Sequence, residues 1–165
     1  SCTYGPRQSI FNPYTGVIAI FSTRLLNNLS PVLYEDGEQT RDFSFVEDIA
    51  GANLLAAETD KFDGLPVNIG SGHGTPIREI AEQLSDILKI DIAPEINGEF
   101  RPGEMRHLTS DTSLARSAGY HTTVDLSEGI ARYIDWIRTQ SDIRDYFSEA
   151  SEILKNKGIV HRVAR

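Results

Sequence analysis

Charged and aromatic residues suited to phosphate binding are concentrated in residues 36–48, which read Asp-Gly-Glu-Gln-Thr-Arg-Asp-Phe-Ser-Phe-Val-Glu-Asp. Arg41 lies between a predicted turn and a predicted strand, where its planar guanidinium can donate two parallel hydrogen bonds to a diphosphate. A structural ion pair of Arg41 with Asp42 or Asp48 explains the same residues, and spacing alone favours it. The segment therefore indicates a phosphate site only if other residues support it.

A second cationic segment covers residues 101–107, Arg-Pro-Gly-Glu-Met-Arg-His, and Asp111 follows it. Arg101 and Arg106 flank a glycine turn, so they form a candidate clamp for a phosphate or a ribose. A solvated loop is the ordinary interpretation of such a segment.

A glycine-rich loop, Gly-Ser-Gly-His-Gly at residues 70–74, lies between a predicted strand and a predicted helix. A dinucleotide-binding loop has this position, and Asp91 lies about 20 residues further on, where a ribose-binding acid would be expected. The fingerprint fails, because Thr75 or Ile77 stands where its third glycine belongs. We interpret the loop as a flexible turn that leads into the helix.

The sequence contains no catalytic or metal-binding set that we recognise. It has neither a G-x-S-x-G elbow nor an H-E-x-x-H motif, and no tyrosine is followed by a lysine four residues later. The four histidines are scattered, and the single Cys2 excludes a disulfide within the chain. We therefore predict no catalytic, cofactor-binding or metal-binding residue in this chain.

The composition is that of a globular domain. The chain has 165 residues with 16 Lys and Arg against 24 Asp and Glu, which gives a net charge of −8. Sequence-independent nucleic-acid binding needs clustered cations, so an acidic chain argues against it. The longest apolar run, residues 16–21, is too short to cross a bilayer, and no signal peptide is recognisable. We expect a cytoplasmic protein without a nucleic-acid or membrane partner.

Hydrophobic periodicity and breaker residues predict alternating short strands and helices, which indicates an α/β class. Thr75 is the predicted cap of the most amphipathic helix, and Asp36-Gly37 is a predicted hairpin-type turn. The predicted helices cover residues 15–28, 47–58, 76–89, 113–118, 127–140 and 142–156, and the predicted strands 32–34, 43–46, 66–69 and part of 90–96.

Several short segments in order resemble the extended short-chain dehydrogenase/reductases, the family of NAD-dependent nucleotide-sugar epimerases and dehydratases. The resemblance runs from residue 4 to about residue 138, and the end of the chain is most similar to the dTDP-rhamnose 4-epimerase-like branch. The segments are Tyr-Gly-Pro-Arg-Gln at 4–8, Asn-Pro-Tyr-Thr-Gly-Val at 12–17, residues 36–48, Asn-Ile-Gly at 68–70, residues 101–107 and Asp111.

The resemblance implies a role for five residues. Arg41 and Arg101 would bind the diphosphate of a nucleoside-diphosphate sugar, a UDP- or dTDP-hexose. Glu104 stands where relatives usually have Asp, beside the nucleoside. Asn68 would be a strand-end amide near the phosphates, and Phe43 would pack near the ligand.

The resemblance also implies a fold, a C-terminal substrate-binding lobe that lacks most of the Rossmann lobe of a two-lobed enzyme. Residues 1–140 would be the nucleotide-sugar-binding part, and residues 141–165 a C-terminal helix and basic tail. The intact enzyme would use NAD, but the NAD loop and the Tyr-x-x-x-Lys pair of the family are not in these 165 residues. We therefore expect the isolated chain to be inactive and to bind no cofactor by itself.

Three hypotheses remain open from the sequence. The chain is the C-terminal part of an NAD-dependent nucleotide-sugar epimerase or dehydratase, and this is the hypothesis we favour. It is otherwise a stand-alone, non-catalytic nucleotide-sugar-binding module, or a structural domain with degenerate site residues. Cys2, which replaces an Asn usual in relatives, is the main departure in the site. We also expect the chain to form a homodimer.

Overall fold

A computed structural model of the chain describes residues 1–12 and 16–162, and it has the mixed α/β character that the sequence predicts. The helices are α1 (Val17–Leu26), α2 (Val46–Glu58), α3 (Ile77–Leu88), α4 (Ser113–Ser117), α5 (Leu126–Ile137) and α6 (Phe147–Asn156). The strands are β1 (Cys2–Tyr4), β2 (Val32–Leu33), β3 (Thr40–Arg41), β4 (Phe43–Phe45), β5 (Thr75–Pro76), β6 (Glu95–Ile96), β7 (Glu99–Phe100), β8 (His107–Leu108) and β9 (His161–Arg162).

The strands form small ladders between distant parts of the chain. β1 pairs in parallel with β4, and β2 pairs in parallel with β6. β3 lies between β5, which is antiparallel to it, and β8, which is parallel. The last ladder joins β7 to β9 in antiparallel register. These pairings bring residues 40–45, 75–76, 99–101 and 107–108 to one side of the molecule.

Three amphipathic helices build the core. α3 packs against both α1 and α5, and β4 adds its aromatic residues to the same cluster. Apolar residues recur every three to four positions on each of these helices, so one face of each can be removed from water. The fully buried side chains at the centre are Ile18, Leu25, Ile80, Leu84, Ile130, Tyr133, Ile134 and Ile137.

Three predicted helices are confirmed, since α2, α3 and α5 begin and end within three residues of their predicted bounds. The predicted strand at residues 66–69 is wrong for this chain, because no segment of the described residues pairs with it. Instead, Val67 and Ile69 pack against a small cluster of Ala52, Ala115 and Tyr120. A β-strand is stable only beside a hydrogen-bonded neighbour, and local sequence does not reveal whether one exists.

Two local predictions around Gly37 and Thr75 are also wrong. A turn does form, with the Gly37 N–H donating to the Tyr34 carbonyl at 3.0 Å. The strands on either side of it, β2 and β3, belong to different sheets, so the turn does not close a hairpin. Thr75 does not cap α3, since it is buried in β5 opposite Arg41 while Pro76 occupies the N-cap position.

The remaining differences concern the ends of the chain. Asp142 has a φ of 67°, a conformation that no α-helix continues through, and α6 therefore begins at Phe147 rather than at residue 142. The start of the predicted first helix at residue 15, part of the 12–17 segment and the end of the basic tail lie outside the described residues. Within the described residues, no helix has the length and apolarity needed to span a membrane.

Candidate functional site

A cavity of about 420 Å³ opens between β1, α1, β3 and the loop after β7. Four of the five predicted site residues line it, namely Arg41, Phe43, Arg101 and Glu104. Residues 41 and 101 are 60 positions apart in sequence, and the separate ladders of β3 and β7 place both at this cavity. The fold therefore brings together most of the residues that the sequence predicted to act together.

Arg41 is held in place from several directions. Its Nη1 donates to the carbonyl oxygens of Thr40 at 2.9 Å and Arg106 at 3.1 Å. Its Nη2 donates to the Glu104 carboxylate at 2.8 Å, and the Arg41 side chain is only 13% exposed. The guanidinium is thus fixed at the cavity wall with part of its donor capacity already used.

The alternative interpretation of Arg41 is a structural ion pair with Asp42 or Asp48, and neither pair forms. The Asp42 carboxylate accepts hydrogen bonds from residues 71, 72 and 110, and Asp48 accepts from Thr123. Arg41 pairs with Glu104 instead. Two residues that the resemblance assigns to ligand binding therefore contact each other.

Arg101 contrasts with Arg41, because it has no ion pair among the described residues. Its guanidinium carbon lies over the Tyr34 ring, 5.3 Å from the ring centroid. Its Nε is buried and has no hydrogen-bond partner within the described part of the chain. Because Arg101 lines the cavity and has no carboxylate partner among the described residues, its guanidinium is suited to bind an anionic ligand there.

The loop at residues 70–74 binds an anion, but that anion belongs to the protein. The Ser71 N–H and hydroxyl donate to Asp42 Oδ1 at 2.8 and 2.6 Å, and the N–H groups of Gly72 and Ser110 donate to Asp42 Oδ2 at 3.1 Å each. Burial raises the pKa of Asp42, and these hydrogen bonds lower it by more, so the net pKa lies below the usual range. The loop amides that a dinucleotide would need are already occupied by Asp42, and the loop does not fit NAD.

Two predicted contributors lie elsewhere. Asn68 does not line the cavity; it is exposed in the segment that follows α2. Arg106 forms ion pairs with Glu35 at 2.5 Å and Asp36 at 2.7 Å, so it stabilises the turn before β3 rather than the cavity. Of the two arginines around the glycine turn, only Arg101 faces the cavity.

Sequence reasoning missed three residues that shape the cavity. Tyr34 supplies the ring under Arg101, and the amide of Gln39 holds the Tyr34 carbonyl at 2.9 Å. Phe147 comes from the start of α6, more than 100 residues away in sequence, and also lines the cavity. The position of Tyr34 close to a turn is only a weak indication that it belongs to a site. No feature of the neighbouring sequence indicates that Phe147 does.

The chemistry of the cavity lining suits the binding of a charged ligand. Arginine guanidinium groups, a carboxylate and aromatic rings suit the recognition of a charged, partly apolar ligand. Cys2 also lines the cavity, but burial raises the pKa of its thiol, which keeps it protonated. No group of three or more metal-ligating side chains exists among the described residues.

The sequence of the chain is similar to those of known proteins. The model of the NAD dependent epimerase/dehydratase family matches residues 1–70. The dTDP-L-rhamnose 4-epimerase of Burkholderia thailandensis is 36% identical over 84% of this chain and 38% of its own length. The chain spans between 38% and 45% of the curated relatives that it matches.

Solved structures also match most of this chain over less than half of their own length. A UDP-N-acetylglucosamine 4-epimerase from Methanobrevibacter ruminantium, in complex with UDP-N-acetylmuramic acid, superposes with a TM-score of 0.78 at 36% identity, over 84% of this chain and 44% of that one. A UDP-glucuronic acid 4-epimerase from Bacillus cereus, in complex with UDP-glucuronic acid and NAD, superposes with a TM-score of 0.72 at 29% identity, over 82% of this chain and 42% of that one.

Proposed function

Since the chain belongs to the NAD-dependent epimerase/dehydratase family, within the extended short-chain dehydrogenase/reductases, we propose that it is the nucleotide-sugar-binding part of an epimerase or dehydratase. The observation that carries this proposal is the convergence of Arg41 and Arg101 on one cavity. The substrate class is a nucleoside-diphosphate hexose. The similar structures bound to UDP-sugars support the choice of ligand class.

Arg41 and Arg101 contribute to diphosphate binding in different ways. Arg41 is rigid because backbone carbonyls and Glu104 fix its guanidinium. Arg101 supplies a cation that has no carboxylate partner among the described residues, and its guanidinium can donate to a phosphate oxygen in the cavity. Together they neutralise a diphosphate within a chain whose net charge is −8.

Glu104 and Phe43 complete the nucleotide side of the site. Binding of a diphosphate to Arg41 would release the Glu104 carboxylate, which could then accept hydrogen bonds from ribose hydroxyls. Phe43 is buried in β4 and offers an apolar contact at the cavity wall. Asn68 remains a prediction from the family resemblance, because its side chain does not line this cavity.

Catalysis in this proposal depends on groups outside these 165 residues. NAD supplies reversible hydride transfer in such enzymes, and this chain contains neither a fitting dinucleotide loop nor a Tyr-x-x-x-Lys pair. The residues described here would hold the nucleotide so that the sugar is placed for that chemistry. We therefore expect the isolated chain to show no turnover of UDP- or dTDP-hexoses with added NAD.

We also infer that the chain forms a homodimer. Apolar side chains on α2 and the segment after it are exposed, with Leu54 at 65% and Leu65 at 52%. Exposed apolar patches of this kind favour association. Light scattering after size-exclusion chromatography would show twice the 18.3 kDa mass of the chain; a monomer at all concentrations would contradict the inference.

Calorimetric titration of the full-length protein with UDP and dTDP tests the proposed site. Arg41→Ala and Arg101→Ala should each weaken binding by about 1.5–3 kcal/mol, because each removes a charge-assisted hydrogen-bonding partner. Arg144→Ala is the matched control, since this arginine is exposed and, among the described residues, forms its ion pair with Asp142, outside the cavity. Unchanged affinity in both site variants would exclude the cavity as the nucleotide site.

A further inference from the structure

We infer that the C-terminal segment, residues 147–162, is a positioning element that holds Arg101 at the cavity. This inference rests on the proposed function and adds to it a part of the chain that the family resemblance does not assign to binding. We call this segment the C-terminal clasp. Its contacts converge on β7, the strand that ends immediately before Arg101.

Backbone pairing is the first of these contacts. Glu99 and Phe100 form β7, and they pair in antiparallel register with Arg162 and His161 of β9. The rings of Phe100 and His161 lie 5.8 Å apart, centroid to centroid. Because Arg101 follows directly in the chain, the direction of β7 determines where its side chain begins.

A nearly buried ion pair is the second contact. Lys155 Nζ of α6 lies 2.8 Å from Glu99 Oε1, and the Glu99 side chain is only 7% exposed. A carboxylate that has been removed from water needs a partner, and Lys155 is its only cation among the described residues. Lys155 therefore joins β7 to α6, and it is not among the residues that line the cavity.

The backbone of β7 is also hydrogen-bonded to the residue next to Tyr34, whose ring supports Arg101. The Glu35 N–H donates to the Glu99 carbonyl at 2.7 Å, and Tyr34, the preceding residue, places its ring under the Arg101 guanidinium. The clasp, β7 and this ring form one continuous set of contacts. Arg101 forms no ion pair among the described residues, so these contacts are what orients it.

Arg41 does not share this dependence. Its guanidinium is fixed by two backbone carbonyls and Glu104, none of which belongs to the clasp. The Thr40 N–H also donates to the Arg106 carbonyl at 3.0 Å, which anchors this side of the site independently of the clasp. Loosening the clasp should therefore affect binding chiefly through Arg101. A binding site whose donors are already oriented loses less entropy on ligand binding, so the loss would appear as weaker affinity.

The test uses UDP and dTDP as probes of the full-length protein in calorimetric titrations. Lys155→Met keeps the aliphatic stem but removes the charge, and we expect the dissociation constant to rise by about 3- to 30-fold, as for coupled neighbouring residues. Lys155→Arg should restore most of the affinity. Lys157→Met is the matched control, because this neighbouring lysine is exposed on the same turn.

A double-variant cycle separates positioning from general destabilisation. In the Arg101→Ala background, Lys155→Met should change the dissociation constant by less than about twofold, because the residue that it positions is gone. If Lys155→Met weakens binding equally in both backgrounds, the clasp does not act through Arg101 and the inference is overturned.

A second variant tests the inference independently, in case Lys155→Met fails to fold. Val160→Asp places a charge at a buried position next to β9 and should detach the clasp while leaving Glu99 and Lys155 intact. It should weaken probe binding as Lys155→Met does, and full affinity in both variants would overturn the inference. Absence of binding by the unaltered protein would instead remove the proposed function, and the clasp inference with it.

Discussion

Asp42→Asn should destabilise the protein more than its conservative chemistry suggests. The Asp42 side chain is almost fully buried and accepts four hydrogen bonds, two on each carboxylate oxygen. An asparagine can keep the two bonds from Ser71 on its oxygen. Its NH2 group would then face the N–H groups of Gly72 and Ser110, donor against donor.

The magnitude follows from the two bonds lost. Hydrogen bonds to a charged group contribute about 1.5–3 kcal/mol each, so the variant should lose about 3–6 kcal/mol of unfolding free energy. Urea denaturation measures this loss as a midpoint shift of about 1.5–3 M, for a slope of about 2 kcal/mol per M. Asp135→Asn, at an exposed position of α5, should change the unfolding free energy by less than about 0.5 kcal/mol.

The pH dependence of the same variant gives an independent check. The pKa of Asp42 is lower in the folded protein than in the unfolded chain. Its contribution to stability is therefore present above the unfolded value of about 3.9 and is lost as the pH falls through the folded pKa. The stability difference between the unaltered protein and Asp42→Asn should be constant above about pH 5 and shrink below it. A difference below 1 kcal/mol at pH 7 would refute this account of the loop.

Four further variants test the packing of the chain, each by denaturant unfolding. Gly70→Ala should lower the free energy of unfolding by about 1–3 kcal/mol, because the added methyl group would collide with Asp42 Oδ2. Gly51→Ala lies in the interior of α2, where the added methyl group meets no atom within 4 Å, and it should raise the free energy of unfolding by about 0.5–1 kcal/mol. Equal effects of the two variants would contradict the packing. Arg24→Ala should cost about 3–5 kcal/mol, since it leaves a carboxylate that is only 10% exposed without its partner, and a loss below 1 kcal/mol would contradict this. Tyr133→Phe should be neutral or stabilising by up to about 1 kcal/mol, because its buried hydroxyl has no partner among the described residues; a clear loss of stability would reveal one.

The helices could be predicted from sequence because their information is local. Ile80, Leu84 and Leu88 recur on one face of α3, and this spacing alone specifies a helix with a buried side. The strands could be predicted only in part. β3 and β5 are two residues long and exist because β3 pairs with β5 on one side and with β8 on the other. Such pairings between distant segments leave no periodicity in the sequence.

The candidate site, too, could be predicted from the sequence only in part. Arg41 and Arg101 were identified through their motifs, and the fold places both at the cavity. The contact between Arg41 and Glu104, and the binding of Asp42 by the glycine-rich loop, depend on segments that meet only after folding. Phe147 was missed for the same reason, since no local feature of α6 points to a cavity formed mainly by residues 2–43.

A crystal structure of the full-length protein with bound UDP or dTDP tests the central claim most directly. The account predicts diphosphate oxygens within hydrogen-bonding distance of both the Arg41 and the Arg101 guanidinium groups, with Glu104 displaced from Arg41. A diphosphate bound elsewhere, with Arg41 still paired to Glu104 and Arg101 still lying on the Tyr34 ring, would contradict it.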